Sequence, residues 1–146
     1  MEARIARDEA RARARRAARF LEAEPKVVLV YLFGSTAHGA TSHVRDVDVA
    51  VATTPPLTTE DLHRLRADVV GAAGGPVDLV SLDDAPIVLA HEIADTGECI
   101  FARTPDAEVD FVTRARARYW DFKPFLDEQW RLLGERLRER DVGPST

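Results

Sequence analysis

The sequence predicts an α/β fold in which about four β-strands are flanked by helices. Short apolar runs rich in β-branched residues alternate with longer segments whose apolar residues recur every three or four positions. The first pattern is typical of strands and the second of amphipathic helices. The predicted strands are 27–33, 44–52, 77–82 and 98–102, and the predicted helices are 2–24, 58–73, 84–96 and most of 105–140.

Length and composition predict one domain over 1–146, with a core at about 25–104 and a helical tail at 105–140. Of the 146 residues, 45% are hydrophobic and 31% are charged, as in ordinary soluble globular domains. The N-terminus is rich in Arg, Ala and Glu rather than signal-like, and no apolar stretch has the length of a membrane helix. Because Cys99 is the only cysteine, no intramolecular disulfide can form, and we expect a cytoplasmic protein.

Charge is distributed unevenly along the chain. Residues 25–104 include five basic and eleven acidic residues, a net charge of −6, whereas proteins that bind nucleic acid generally present a basic surface. We therefore expect no direct contact with nucleic acid and a site that works with cations. Seven arginines and five acids interleave in segment 2–24, a pattern that favours a solvated helix face.

The first elements are predicted from apolar runs and stop signals. Segment 2–24 contains no Gly or Pro and is followed by Pro25, as expected of a helix. The β-branched and aromatic run 27–33 is typical of a strand buried on both faces. Gly34 permits a tight turn, and Ser35 is predicted to open a short helix whose backbone N–H groups face an anion.

Two aspartates lie near the start of the second predicted strand. Asp46 and Asp48 are two positions apart, so on a strand their side chains share a face with Cα atoms about 7 Å apart. Carboxylates this close repel each other, and their burial is costly unless cations are present. We interpret the pair as ligands of a divalent metal ion.

The remaining elements of the core are bounded by recognisable caps. Thr58 or Thr59 can cap helix 58–73, which Gly74 ends. The third strand, 77–82, is apolar except for Asp78 and Ser81. Helix 84–96 is closed by Gly97, and the short strand 98–102 follows.

A third carboxylate completes the predicted site. If the second and third strands are neighbours with their acids on one face, Asp46, Asp48 and Asp78 form a triad. Such hard oxygen ligands select Mg²⁺ or Mn²⁺. Two of these ions can stabilise the attacking and leaving oxygens of an in-line phosphoryl displacement, and the Gly34-Ser35 turn would hold the phosphates.

The tail has an amphipathic stripe close to heptad spacing. We expect Pro124 to kink or break this helix and residues 141–146 to be frayed. Part of the stripe should pack on the sheet. The rest either packs there too or forms a protein–protein contact, including a homo-oligomer, and both uses are equally open. The stripe consists of Val112, Ala115, Tyr119, Phe122, Leu126, Trp130, Leu133 and Leu137.

The spacing of the glycine–serine turn and the aspartates resembles a known signature. Gly34-Ser35 is followed, after ten residues, by Asp46-x-Asp48, with Asp78 downstream. This pattern resembles the polymerase-β nucleotidyltransferase superfamily. The resemblance implies a mixed sheet flanked by helices, with Gly34 and Ser35 binding phosphate, Asp46 and Asp48 holding both metal ions, and Asp78 completing the second metal site and helping to activate the incoming hydroxyl.

The chain resembles one branch of that superfamily in particular. Its short length and its layout through the tail, including 115–122, look like the minimal nucleotidyltransferase (MNT) antitoxins of HEPN/MNT toxin–antitoxin pairs, over about residues 25–138. This resemblance implies Mg²⁺-dependent transfer of AMP from ATP to a tyrosine hydroxyl of a partner HEPN toxin, which silences an RNase.

Two positions depart from the pattern of the family, and two other functions stay open. Arg45 stands where a serine usually precedes the first aspartate, and it could contact phosphate or pair with an acid. His38 lies where an arginine often follows the turn, and a phosphate contact and a solvated loop are equally open for it. The alternative functions are an antitoxin that acts mainly by masking its toxin and a nucleotidyltransferase for a small molecule.

Overall fold

The computed structural model of the protein describes residues 5–34, 37, 43–44 and 46–141. No helix within these ranges is both long enough and apolar enough to cross a membrane. The strands are β1 (Ile5–Ala6), β2 (Val27–Phe33), β3 (His43–Val44), β4 (Asp48–Thr53), β5 (Asp78–Ser81) and β6 (Glu98–Ala102). The helices are α1 (Arg7–Glu22), α2 (Thr59–Ala73), α3 (Ile87–Thr96) and α4 (Pro105–Asp141).

Four strands form a mixed sheet in the order β5-β4-β2-β6. Strand β2 is antiparallel to both of its neighbours, and β4 is parallel to β5. The predicted fold class is therefore confirmed. The sequence did not predict β1 and β3, which pair with each other antiparallel, and residues 5–6, predicted as helix, belong to β1.

Helices cover both faces of this sheet. Val49 and Val51 of β4 belong to a buried cluster with α1 and α2, whereas Ala50 and Ala52 belong to a second cluster with α3 and α4. This alternation is the period of two that a strand imposes on its side chains. Helix α1 contributes mainly alanines to the first cluster, and these small side chains let its backbone lie close to the sheet.

Helix α4 runs without a break through Pro124, which lies inside it. Of the two predicted effects of Pro124, a kink or a break, the break was therefore wrong. Proline removes one hydrogen bond from a helix, and the freed carbonyl belongs to Trp120, an exposed residue that water can reach. Ion pairs three and four residues apart continue the helix afterwards, among them those of Arg131 with Glu128 and Glu135.

The two halves of α4 differ in burial. Phe111 and Ala115 are buried in the cluster with α3 and the sheet, and Phe111 packs on Tyr31 of β2 with ring centroids 5.3 Å apart. The second half leaves large apolar side chains in solvent. These exposed residues, which we call the tail stripe, are Trp130, Leu133 and Leu137 of the predicted stripe together with Trp120 and Phe125, which lie outside the predicted stripe.

Cys99, the only cysteine of the chain, is half-buried in β6. Burial, with a further contribution from the nearby charge of Glu108, raises the pKa of its thiol to about 11. The thiol therefore stays protonated near neutral pH, and a protonated thiol is a poor nucleophile.

Candidate active site

Three elements end or begin at one edge of the sheet. Strand β2 ends at Phe33, whose register partner on β4 is Asp48, and Gly34 follows directly. Asp48 is in turn the register partner of Asp78 at the start of the parallel strand β5. A backbone hydrogen bond of 2.8 Å from the Asp78 N–H to the Val47 carbonyl holds the two strand ends together. The fold therefore brings Gly34, Asp48 and Asp78 side by side, as the sequence predicted.

Gly34 is required by its close approach to Asp48. Its φ of +67° lies in the left-handed region, and a Cβ added there would lie 2.5 Å from Oδ2 of Asp48. The chain turns directly afterwards, since the Ala37 N–H donates to the Gly34 carbonyl at 3.2 Å. A side chain at this position would displace the Asp48 carboxylate.

We expect Gly34→Ala to lower the free energy of unfolding by about 1–3 kcal/mol, because alanine must adopt a left-handed conformation and push against Asp48. Gly71→Ala is the matched control. Gly71 lies inside α2 with nothing within 4 Å of an added Cβ, so there alanine should raise the free energy of unfolding by about 0.5–1 kcal/mol. Urea denaturation measures both changes, and equal stabilities for the two variants would contradict this account of Gly34.

The predicted strand 44–52 placed Asp46 inside the strand. In the structure Asp46 lies just before β4 and not within it. The strand begins at Asp48 because the pairing of β4 with both β2 and β5 begins there. The alternation of faces nevertheless continues backwards from the strand: Asp48 is half-buried, Val47 is buried and Asp46 is exposed. Asp46 and Asp48 thus both avoid the interior, where Val47 lies.

The carboxylates at this edge influence one another. The pKa of Asp48 is raised to about 6, chiefly by burial and then by the negative charges of Asp78 and Asp46. Two of the three acids therefore act electrostatically on the third. A bound cation would remove this repulsion and favour the charged form of Asp48.

The aspartate carboxylates at this edge suit a magnesium ion, although three of them do not converge on one point in the structure. Among the residues that the structure describes, no group of three His, Cys, Asp or Glu side chains is compact enough to hold a metal ion. The backbone positions of Asp48 and Asp78 are paired, and aspartate side chains turn about two torsions. Carboxylate oxygens are the ligands that Mg²⁺ prefers, so these residues fit such an ion.

Asp46 and Asp78 also line a cleft of about 610 Å³ between the sheet, α1 and α2. Arg13 of α1 lines the same cleft, with Pro76 and Val77 from the segment that leads into β5. The positive charge of Arg13 therefore lies in the cleft that Asp46 and Asp78 line.

Arg13 was missed by the sequence analysis, which assigned the arginines of the first helix to solvent. It lies three residues after Ala10 and four before Ala17, both fully buried, and this spacing places it on the inner face of the helix. Helical periodicity among the alanines was the signal that could have found it.

Three other residues that the sequence analysis singled out lie outside the described residues. They are Ser35, the predicted phosphate ligand, and His38 and Arg45, the two departures from the family pattern.

The fold and the acidic edge agree with the pattern of the nucleotidyltransferase family. The profile of the polymerase beta nucleotidyltransferase family matches residues 16–106, and the chain belongs to this family.

One relative indicates a more specific class within this family. The protein adenylyltransferase MntA of Shewanella oneidensis is 32% identical over 85 residues, which are 58% of this chain and 61% of MntA. The match thus spans about three fifths of that curated relative.

Two solved structures have the same fold. A toxin–antitoxin structure with AMP-PNP superposes with a TM-score of 0.67 and 24% identity, covering 80% of this chain and 98% of the other. The second is a structure of a tri-AMPylated Shewanella oneidensis HEPN toxin in complex with MNT antitoxin. That match has a TM-score of 0.65 and 23% identity, covering 83% of this chain and 98% of the matched chain.

Proposed function

We propose that this protein is an antitoxin that transfers AMP from ATP to a tyrosine hydroxyl of a partner HEPN toxin. The observation that carries the proposal is the register pairing of Asp48 with Asp78 beside Gly34, at the edge where β2 ends and β4 and β5 begin. The similarity to a named protein adenylyltransferase supports the choice of AMP and of a protein acceptor.

The nucleotide would lie on the β2 side of this edge. Gly34 and Ser35 are the proposed phosphate ligands, because backbone N–H groups at such a turn bind anions. Asp46 and Asp48 would hold two Mg²⁺ ions, which neutralise the triphosphate and polarise the oxygens around the reacting phosphorus. Asp78 would complete the second ion's ligands.

The acceptor would approach from the β5 side. Its hydroxyl oxygen forms a bond to the α-phosphorus of ATP, and the bond from that phosphorus to the oxygen bridging to the β-phosphate breaks. Pyrophosphate leaves with the electron pair of the broken bond. Asp78, which is exposed at the start of β5, would accept the hydroxyl proton, and the product would be an AMP ester of the acceptor.

Mass spectrometry of the partner tests this function. The protein encoded beside this chain should gain one or more AMP masses when it is incubated with the chain, ATP and Mg²⁺. It should gain none without ATP or with EDTA. A partner that keeps its mass under all conditions, while binding tightly, would contradict the transferase and leave masking as the function.

The tail stripe favours a physical complex as part of this function. Trp120 and Trp130 are 66% and 63% exposed, and large exposed apolar patches commonly mark protein interfaces. We assign this stripe to partner binding, with a homo-oligomer as the alternative use. Masking by this contact is compatible with AMP transfer and would add to it.

Trp130→Glu should weaken the complex with the partner by about 30-fold, because an exposed interface tryptophan commonly contributes about 2 kcal/mol. Isothermal titration calorimetry measures this change. The control is Gln129→Glu, which adds the same charge at the neighbouring exposed position and should leave affinity unchanged. If both variants bind as the wild type does, the tail stripe is not the interface.

A further inference from the structure

Asp46 is the one acid of the proposed triad that the sheet does not hold. Strand β4 begins at Asp48, which pairs with Phe33 and Asp78, whereas Asp46 lies before the strand and is exposed. The proposed reaction nevertheless needs the Asp46 carboxylate at the metal ions. The place of Asp46 therefore depends on the chain on either side of it.

The chain after Asp46 is fixed by Val47. This side chain is buried in the cluster with α1 and α2, with 2% exposure, and its carbonyl accepts the Asp78 N–H at 2.8 Å. The chain before Asp46 forms β3, which ends at Val44, so only residues 45 and 46 separate β3 from Val47. The position of β3 therefore limits where Asp46 can lie.

Strand β3 is held by β1 and not by the four-stranded sheet. The two strands pair antiparallel, with Ile5 opposite Val44, and within the described ranges β1 is the only strand that pairs with β3. Ile5 also packs against the cluster that contains Val47 and lines the cleft that Asp46 lines. The segment before Asp46 thus depends on β1.

Helix α1 gives β1 a rigid support. No residue separates the two elements. The helix is anchored by alanines on its inner face, of which Ala10 and Ala14 are fully buried, and Arg16 donates to the Ala73 carbonyl of α2 at 2.8 Å. Movement of β1 relative to the sheet is therefore restricted by the packing of the whole helix.

We propose that β1 is a positioning element of the metal site, which holds Asp46 in place for the cations through its pairing with β3. This inference rests on the proposed function, in which Asp46 and Asp48 share the metal ions. Fixing the backbone of one residue costs free energy equivalent to roughly 10-fold in affinity, and a site that is fixed before binding avoids that cost. Ile5 is thus a positioning residue, since it acts on the cations only through Asp46.

Titration with Mn²⁺ alone tests this role. Carboxylates bind this cation as they bind Mg²⁺, and electron paramagnetic resonance measures how much of it stays free. Ile5→Gly should weaken Mn²⁺ binding about 10-fold, because it removes the side chain that packs β1 onto the cluster and because glycine weakens a strand. In the transfer reaction, the Mg²⁺ concentration that gives half of the maximal rate should rise by the same factor, and saturating Mg²⁺ should restore the rate.

Ile100→Gly is the matched control. Ile100 is half-buried in β6 and packs against the same cluster as Ile5, but β2 separates its strand from β4. The control therefore makes the same chemical change in a strand that does not lead to Asp46, and it should leave Mn²⁺ affinity unchanged. Equal losses of affinity in the two variants would make the effect one of general destabilisation and overturn the proposal.

Hydrogen exchange shows whether β1 holds β3. In Ile5→Gly the amides of His43 and Val44 should exchange faster than in the wild type, while those of β2 should keep their rates. Unchanged exchange at His43 and Val44 would mean that β1 does not fix this segment, and it would reject the proposal.

A disulfide between the two strands gives a second test if Ile5→Gly fails to fold. Opposed residues of antiparallel strands have Cα atoms about 4.5–5.5 Å apart, a distance that a disulfide spans. The variant Ile5→Cys with Val44→Cys, made together with Cys99→Ala, should bind Mn²⁺ as the wild type does when oxidised and more weakly when reduced. Equal affinities of the oxidised and reduced forms would contradict the positioning role.

Failure of this inference can be told apart from failure of the proposed function. If the wild type binds Mn²⁺ and transfers no AMP, the proposed function fails, and the comparison of Ile5→Gly with Ile100→Gly still decides the role of β1. If the wild type transfers AMP and Ile5→Gly binds Mn²⁺ as tightly as it does, only the role of β1 is rejected. A wild type that binds no Mn²⁺ would also reject the role of β1.

Discussion

Replacing Asp46 and Asp48 together by alanine is expected to abolish AMP transfer, with a loss on the order of 1,000-fold or more in kcat. The pair occupies the edge where Gly34 and Asp78 meet, and without both carboxylates too little charge remains to hold the metal ions that the reaction needs. Transfer to the partner, measured by mass spectrometry with ATP and Mg²⁺, checks the loss.

The double variant also separates catalysis from masking. It leaves the tail stripe untouched, so its affinity for the partner should equal that of the wild type. The control is Asp84→Ala with Asp95→Ala, which removes the same charge from two exposed acids away from the edge and should preserve transfer. If the Asp46 and Asp48 variant transfers no AMP yet still protects cells from the toxin, masking alone accounts for neutralisation.

Asp78→Asn is expected to lower kcat by about 100-fold and to leave the fold intact. Asparagine has nearly the same shape as aspartate, but it accepts no proton and binds Mg²⁺ more weakly. The backbone N–H of residue 78 keeps its hydrogen bond to Val47, and the exposed side chain is not part of the core. Single-turnover kinetics measures the rate, and urea denaturation should give an unchanged free energy of unfolding.

The matched control for this substitution is Asp84→Asn. Asp84 is an exposed aspartate that follows the other end of β5, so it experiences the same chemical change in the same region of the sheet. Its kcat should equal that of the wild type. If the Asp78→Asn variant turns over at the wild-type rate, Asp78 has no catalytic role, and its pairing with Asp48 is only structural.

Local sequence patterns predicted the elements that depend on local signals. The run at 27–33 is β2 residue for residue, and Thr58 caps α2 by accepting a hydrogen bond from the Asp61 N–H at 3.1 Å. The sequence predicted that the acids come together only if the second and third strands are neighbours, and the register pairing of Asp48 with Asp78 meets that condition.

Local sequence patterns could not predict features that depend on residues far apart in the chain. Strand β1 exists only because β3 pairs with it, and a two-residue strand carries no periodicity of its own. The burial of Arg13 depends on the glycine at position 75 making room for it, about sixty residues later in the chain. Pro124 carries a helix-breaking signal, yet α4 continues through it in the structure.

The direction of α4 has a consequence for how the partner is presented. Arg103, just before the helix, hydrogen-bonds to Val28 near the start of β2, and the charge of Arg114 acts on the carboxylate of Asp83, which follows the end of β5 opposite Asp78. Both contacts lie at the end of the sheet opposite the candidate site, and at about 1.5 Å per residue the exposed half of the helix continues some 25–30 Å past Phe111 to Trp130. In the proposed function, a toxin bound to this half of the helix is tethered, and its hydroxyl samples the candidate site at an effective concentration on the order of millimolar. The site would then modify an acceptor for which it has little affinity of its own.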